Sequence, residues 1–191
     1  LQIVNTLLKM QGTYVQDTEL QEVLGDCQGR VRAMALVHEH IYRVGDLNRV
    51  NVKAHLIALG ESILKQYGLH DRVKIDLNVN YDHANLDNLI PLSLLMNELI
   101  TNSAKHAFTG RDQGRITIVL RRLGDNQCEL VYSDDGVGLR QEQFFHTDSF
   151  GLELVRTLAS QLDGRIRLLK GEGTTFQMTF EPQARTMRRA S

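Results

Sequence analysis

The stretch NELITNSAKHAF, residues 97–108, decides the fold of this chain, because it adds polar side chains to one edge of a long apolar helix. We predict that helix over residues 88–107, with Pro91 in its first turn. Four polar residues fall at spacings of three and four and therefore line one edge: Glu98, Asn102, Lys105 and His106. This stripe suits a metal–triphosphate site, although a solvated helix edge with Glu–Lys pairing has the same pattern.

Each residue type in the stripe offers a different chemistry. The amide oxygen of Asn102 can ligate Mg²⁺, a hard cation that takes oxygen ligands. Lys105 offers a point charge to phosphate, and Glu98 can orient a water molecule or accept a proton.

Three glycine-containing turns follow the helix in order: DDGVGL at 134–139, FGL at 150–152 and GEGTT at 171–175. Asp134 ends an apolar-alternating strand, and its carboxylate can accept a hydrogen bond from an amino group such as that of adenine. Gly136 and Gly138 let the backbone approach a flat base or a phosphate closely. One such turn is weak evidence, but the polar helix followed by three turns in this order indicates a nucleotide site.

The two later turns add further candidates. Gly151 opens a helix, and a helix N-terminus favours anionic phosphate. The mostly polar segment 140–149 predicts either a short mobile lid over a nucleotide or a plain surface loop. Thr174 and Thr175 start the last strand, where a hydroxyl can reach the base edge or the pair can simply be an ordinary β-branched strand pair.

The first part of the chain predicts a helical hairpin. Residues 1–15 carry an apolar stripe at helical spacing, and about 18–43 carry a heptad seam, with Asp17 or Thr18 as N-cap. A lone hairpin buries little apolar surface, so we expect a second copy of the chain to complete a four-helix bundle. The alternative is a hairpin that folds back onto its own domain.

The rest of the chain predicts an α/β sandwich, which makes the fold class α+β. Helices are expected at 52–67 and 151–162, and strands near 73–79, 116–120, 128–132, 165–170 and 174–180. We divide the chain into a hairpin, a linker, the α/β domain and a basic tail: 1–44, 45–50, 51–182 and 183–191.

Composition limits the function classes. The 191 residues carry a formal net charge of −1, which implies no bulk attraction to nucleic acid or anionic membrane. No apolar run approaches the roughly 20 residues of a membrane span. The two separated cysteines, Cys27 and Cys128, fit reduced thiols in the cytoplasm. The sequence contains no P-loop motif.

The four motifs together resemble the nucleotide-binding constellation of the GHKL superfamily, which includes histidine kinases, Hsp90, type II topoisomerases and MutL. The stretch RVRAMALVHEHIY, residues 30–42, is similar to the second dimerisation helix of the HisKA_2 group of sensor histidine kinases. Residues 1–15 are similar to the tail of that group's phosphoacceptor helix. Two departures are Asp135, where Asn is commoner, and the single glycine of the 150–152 turn.

The resemblance implies a protein-histidine kinase that binds ATP and Mg²⁺. Asn102 would ligate Mg²⁺, Glu98 would be the acid/base group, and Lys105 and His106 would contact phosphate. The remaining ATP-binding positions would be Asp134, Gly136, Gly138, Gly151, Leu152, Thr174 and Thr175. The implied partners are a second copy of the chain, through the hairpin, and a response-regulator receiver domain.

In these kinases the phosphorylated histidine lies shortly before the position of Leu1, so we expect a fragment without a phosphoacceptor of its own. His38 falls roughly level with that missing acceptor, and we hypothesise that it packs beside it; a satisfied buried histidine is the alternative. Two other functions stay open: a GHKL ATPase or serine kinase, and a nucleotide-silent dimeric docking module.

Overall fold

The computed structural model describes residues 1–44, 50–81, 83–124, 126–139, 144 and 150–182. It begins with two helices packed as an antiparallel pair, α1 (Gln2–Tyr14) and α2 (Thr18–Val44). Asp17 caps α2, because its Oδ1 atom accepts the backbone N–H groups of Glu19 and Leu20 at 2.9 and 3.2 Å. The predicted hairpin is therefore confirmed. The predicted basic tail, 183–191, and residues 45–49 of the predicted linker, 45–50, lie outside the described residues, whereas Val50 begins β1.

The α/β unit follows the hairpin. Its elements are β1 (Val50–Asn51), α3 (Val52–Gln66), β2 (Val73–Asn80), β3 (His83–Ala84), α4 (Leu86–Asn102), a π-helical turn (Ser103–Ala107), β4 (Gly114–Arg122), β5 (Cys128–Asp134), α5 (Phe150–Gln161), β6 (Arg165–Leu169) and β7 (Thr174–Phe180). All five longer strands and both flanking helices lie where the sequence pattern predicts them.

The five longer strands form one mixed sheet in the order β2-β4-β5-β7-β6. Only the β2–β4 pair is parallel among the strand pairs of this sheet. In the register of β5 and β7, Asp134 lies opposite Thr174 and Tyr132 lies opposite Phe176. This pairing brings the first and third glycine turns side by side at one edge of the sheet.

Helix α4 is the centre of the core. Its side chains are buried on nearly every turn between Leu89 and Ile100. The helix begins earlier than predicted, because the Asn85 side chain caps it by accepting the N–H of Asn88 at 3.0 Å. The prediction that Pro91 lies in the first turn is therefore wrong, since Pro91 lies in the second turn.

The α-helix also ends earlier than predicted. After Asn102 the backbone continues as a π-helical turn, and the N–H of Ser103 reaches the carbonyl oxygens of both Leu99 and Ile100. A π turn is wider than an α turn and shifts the direction of the side chains that follow it. The assumption of one α-helical face over 98–106 is therefore wrong beyond Asn102.

Helix α2 packs against α4, α3 and β1 of the same chain. Ala33 and Val37 on this side are fully buried. The opposite part of the hairpin leaves large apolar side chains exposed: Leu1, Ile3, Val4, Leu7, Met10, Leu20 and Val23. The hairpin thus packs on its own α/β unit, and the exposed apolar side chains leave the four-helix bundle with a second copy as a prediction.

His38 is exposed at the open end of the hairpin, in a groove that Leu1 and Ile3 also line. The single chain therefore does not bury His38, and its place beside a phosphoacceptor stays a prediction. Among the described helices, none combines the length and the hydropathy of a membrane span.

Candidate functional site

A pocket lies where the end of α4, the π turn, β5, β7 and α5 meet. The predicted site residues in its lining come from all the motifs: Asn102, His106, Asp134, Gly138, Leu152 and Thr174. The fold therefore brings together residues that are up to 72 positions apart in the sequence, from 102 to 174.

Asp134 lies at the base of this pocket with 4% of its surface exposed. Its Oδ1 atom accepts the backbone N–H groups of Gly136 and Thr174 at 3.0 and 3.2 Å. Its Oδ2 atom accepts the hydroxyl of Ser103 at 2.6 Å. A carboxylate has about four acceptor positions, so one remains for a ligand after these three bonds.

Two glycines permit the close backbone approach that shapes this region. A Cβ atom on Gly136 would collide with Ala107 of the π turn, and one on Gly173 would collide with the backbone carbonyl of Asp134. Gly173 also has a φ of +71°, which glycine adopts without the steric penalty of other residues. The glycine turns therefore hold β5, β7 and the π turn at separations that side chains would prevent.

Ser103 and Tyr132 are functional candidates that the sequence reasoning missed. The Tyr132 hydroxyl is placed to donate to Ser103 Oγ at 2.7 Å and to the carbonyl oxygen of Leu99 at 3.1 Å. Burial is the main cause that raises the pKa of Tyr132 well above its usual value, so its hydroxyl stays protonated. A usable signal was the period of two along β5, which puts Tyr132 and Asp134 on the same face.

Glu98 is not among the residues that line the pocket around Asp134, and it contacts α2 instead. Arg30 donates from Nε to Oε1 at 3.0 Å and from Nη2 to Oε2 at 2.9 Å, which is a bidentate ion pair. The side chains of Arg30 and Glu98 are only 15% and 6% exposed. Asn97 adds a third donor to the carboxylate at 3.2 Å. The guanidinium carbon of Arg30 also lies 4.7 Å from the centre of the Phe150 ring.

Lys105 also points to α2, because its Nζ atom lies 2.6 Å from Asp26 Oδ1. Asp26 and Arg30 are four residues apart, so they lie on the same face of α2. The predicted stripe thus divides: Asn102 and His106 line the pocket, whereas Glu98 and Lys105 contact the hairpin.

The remaining predicted positions differ in their placement. Leu152 lines the pocket and is 6% exposed, whereas Gly151 is the second residue of α5 and is not among the pocket-lining residues that the structure describes. Thr175 points to the opposite face of the sheet from Thr174, since successive strand residues alternate. Most of the predicted lid lies outside the described residues, but Phe144 is buried with its ring centre 5.2 Å from that of Phe176.

The residues present fit a nucleotide-borne Mg²⁺ and do not form a dedicated metal cage. The described part of the chain has no cluster of three or more His, Cys, Asp or Glu side chains. Asn102 lines the pocket and offers one amide oxygen. Magnesium bound with a nucleotide commonly takes one or two protein ligands and completes its shell with phosphate oxygens and water.

Comparison with known families agrees with this geometry. Residues 87–184 match the histidine kinase-, DNA gyrase B-, and HSP90-like ATPases, and the chain belongs to this family. Residues 1–67 match the HisKA_2 histidine kinase family. The chain is therefore a histidine kinase core in which a HisKA_2 region is joined to a GHKL ATPase domain, and that domain implies ATP binding.

Individual relatives support the same assignment. The sensor histidine kinase PdtaS of Mycobacterium tuberculosis is 32% identical over 170 residues, which is 87% of this chain and 33% of PdtaS. The chain thus spans about a third of the length of this relative. The serine-protein kinase RsbW of Listeria monocytogenes is 25% identical over 142 residues and covers 58% of this chain, with 87% of RsbW aligned.

The fold also matches a solved structure. The histidine kinase domain of the Erythrobacter litoralis EL346 blue-light activated histidine kinase aligns with a TM-score of 0.73, covering 95% of this chain and 93% of that domain at 18% identity. The alignment includes the hairpin and the α/β unit, so their arrangement in this chain has a counterpart among known folds.

Proposed function

We propose that this chain binds ATP with Mg²⁺ and supplies the γ-phosphoryl group to a histidine, for relay to an aspartate of a response-regulator receiver domain. The observation that carries the proposal is the buried Asp134 carboxylate, which keeps one acceptor position for a ligand in the pocket that the residues of the predicted motifs line together. The HisKA_2 region joined to this pocket supports histidine as the acceptor.

In this proposal the pocket residues divide the work of binding. Asp134 accepts the adenine amino group, and Thr174 and Leu152 border the base, with Gly136 and Gly138 shaping the wall around it. Asn102 holds the metal ion, which neutralises charge on the triphosphate when bound. Catalysis of this kind depends mainly on positioning and electrostatic stabilisation. Gly151 at the start of α5 and Thr175 are peripheral to this pocket, so we assign them supporting roles at most.

The charged residues of the stripe require a change of partner before they can act. Lys105 uses one of its three N–H donors on Asp26, so breaking that pair would free its full charge for a phosphate beside His106. Glu98 must leave Arg30 to serve as an acid/base group, since both of its oxygens accept from the guanidinium. Movement of α2 relative to α4 would release both side chains together.

The exposed apolar face of the hairpin supports a homodimer. The large side chains on α1 and on the first turns of α2 remain exposed in the single chain. A second copy would bury them in a four-helix bundle, and the bundle would then offer the docking surface for the receiver domain. ATP and a response regulator as partners would place the activity in the cytoplasm.

The test is phosphorylation of the full-length protein with γ-labelled ATP and Mg²⁺. We expect a label that is labile in acid and stable in alkali, as phosphohistidine is. Asn102→Ala should abolish it, whereas Asn78→Ala, on the exposed part of β2, should leave it intact. Nucleotide binding without any label would contradict histidine phosphorylation, and absence of binding would favour the nucleotide-silent docking module.

The similarity to RsbW favours serine phosphorylation as a second candidate. The same experiment separates the two, because phosphoserine is stable in acid and labile in alkali. The match of residues 1–67 to HisKA_2 supports the first candidate.

A further inference from the structure

We propose that Ser103 and Tyr132 are positioning residues that give this pocket its preference for an adenine base. The Tyr132 hydroxyl orients the Ser103 hydroxyl, which in turn orients the Asp134 carboxylate toward the exocyclic amino group. This inference rests on the proposed adenine-binding role of Asp134, and the test below separates the two.

The three side chains form a continuous buried chain of hydrogen bonds. The distances are 2.7 Å from the Tyr132 hydroxyl to Ser103 Oγ and 2.6 Å from Ser103 Oγ to Asp134 Oδ2. Tyr132, Ser103 and Asp134 are 1%, 4% and 4% exposed. Solvent therefore competes little for these groups, and their mutual arrangement is determined by the protein.

The direction of each hydrogen bond follows from the chemistry of the donors. Burial raises the pKa of Tyr132, so the hydroxyl keeps its proton and acts as a donor. The Leu99 carbonyl oxygen, 3.1 Å away, is a second acceptor for this proton, and Ser103 Oγ at 2.7 Å is the nearer of the two. Ser103 Oγ accepts from Tyr132, and its own proton is therefore directed to Asp134 Oδ2.

This chain of bonds determines which way the Asp134 carboxylate faces. The backbone N–H groups of Gly136 and Thr174 hold only Oδ1. The terminal torsion of an aspartate is intrinsically broad, so Oδ2 needs its own donor to stay in place. Without Ser103, the free acceptor position on Asp134 would be less well aligned with a ligand amino group.

The base itself provides a selective readout. Adenine carries an amino donor at its sixth position, whereas hypoxanthine carries a carbonyl acceptor there. An oriented carboxylate attracts the amino group of adenine and repels the carbonyl oxygen of hypoxanthine. The ratio of the dissociation constants of inosine triphosphate and ATP therefore measures how well Asp134 is aligned. A site built to bond a ligand group discriminates against a ligand that lacks it.

The experiment measures both dissociation constants by titration calorimetry, on the unmodified chain and on two variants. Ser103→Ala should reduce the preference for ATP over inosine triphosphate by about tenfold, which corresponds to the loss of one well-placed hydrogen bond. Tyr132→Phe should reduce it by about threefold, because Ser103 remains but loses its fixed orientation. Inosine triphosphate should bind all the proteins within about twofold, which also shows that the pocket is folded.

Ser133→Ala is the matched control. It removes the same hydroxyl from the neighbouring position on β5, which points to the other face of the sheet. The control should keep the preference of the unmodified chain. Ser103→Thr retains a hydroxyl and should recover most of the preference.

The outcomes are distinct. An unchanged preference in Ser103→Ala would overturn the inference, and so would an equal loss of affinity for both nucleotides, which indicates a merely structural role. If the unmodified chain shows no preference for ATP, the adenine role of Asp134 is wrong and the inference falls with it.

Discussion

Replacement of Arg30 by alanine tests whether α2 is held against the ATPase domain by the Arg30–Glu98 pair. The two bonds of this bidentate pair measure 3.0 and 2.9 Å, and the Glu98 side chain is only 6% exposed. The pair is therefore intermediate in character between an exposed and a buried ion pair. Removal of one partner of a buried pair destabilises a protein by about 3–5 kcal/mol, because the other charge stays desolvated. Since Arg30 itself is 15% exposed, water can enter, and we expect about 3 kcal/mol.

The assay is urea unfolding of the chain, and the measured quantity is the free energy of unfolding at unchanged slope. Arg32→Ala is the matched control, since Arg32 lies on the same helix and bonds the neutral Gln66 at an exposed position. The Arg32→Ala control should lower the free energy of unfolding by less than about 1 kcal/mol. Adding Glu98→Gln to Arg30→Ala should recover about 1–2 kcal/mol, because the second change removes the stranded charge.

Equal effects of Arg30→Ala and Arg32→Ala would refute the reasoning. That result would mean that solvent screens the Arg30–Glu98 pair as it screens ordinary surface pairs. Failure of Glu98→Gln to recover stability would instead show that the loss comes from packing of the Arg30 side chain against Phe150, whose ring centre lies 4.7 Å away.

Three further predictions concern the glycine turn, a lysine and a tyrosine. Gly173→Ala should lower the free energy of unfolding by about 2–5 kcal/mol, because Gly173 has a positive φ and an added Cβ would collide with backbone. Gly171 has open space around it, so Gly171→Ala should change the free energy of unfolding by no more than about 0.5 kcal/mol in the same assay. Asp26→Asn should change the free energy of unfolding by less than about 1 kcal/mol, since the pair with Lys105 is partly exposed. It should strengthen the binding of ATP relative to adenosine in calorimetry, because Lys105 is then free to contact phosphate. An unchanged ratio of the ATP and adenosine dissociation constants would contradict a phosphate role for Lys105. Burial, aided by nearby carboxylates, raises the pKa of Tyr67 to about 12, so the folded chain keeps a proton that the unfolded chain loses above about pH 10. Stability should therefore fall between about pH 10 and 12, and urea midpoints of Tyr67→Phe should fall less over that window; parallel curves would contradict the shift.

The elements of this fold could be predicted because their signals are local. Alternation in Val73, Ile75, Leu77 and Val79 identifies β2 without knowledge of the rest of the chain, since one face of a strand must be apolar. The order of the polar helix and the glycine turns likewise indicated the nucleotide site. The period of two along β7 could also have separated Thr174 from Thr175, because Phe176 and Met178 mark the inward face.

The division of the polar stripe could not be predicted from helical spacing. Spacing assumes one helix type, and the π turn after Asn102 changes the direction of Lys105 relative to Glu98. The partners Asp26 and Arg30 lie 79 and 68 positions away from Lys105 and Glu98 along the chain, so only the docking of α2 on α4 makes these contacts.

The sequence by itself determined the secondary structure, the order of the motifs and the family, because periodicity, turn residues and motif spacing are properties of short segments. Only the tertiary structure decided which polar side chains share a pocket. Ser103 and Tyr132 lie 31 and 2 positions before Asp134 in the sequence. The fold links the three side chains by hydrogen bonds, from Tyr132 to Ser103 and from Ser103 to Asp134. Such contacts depend on the register of β5, the start of the π turn and the approach that Gly136 and Gly173 permit, and these are set by packing over the whole domain.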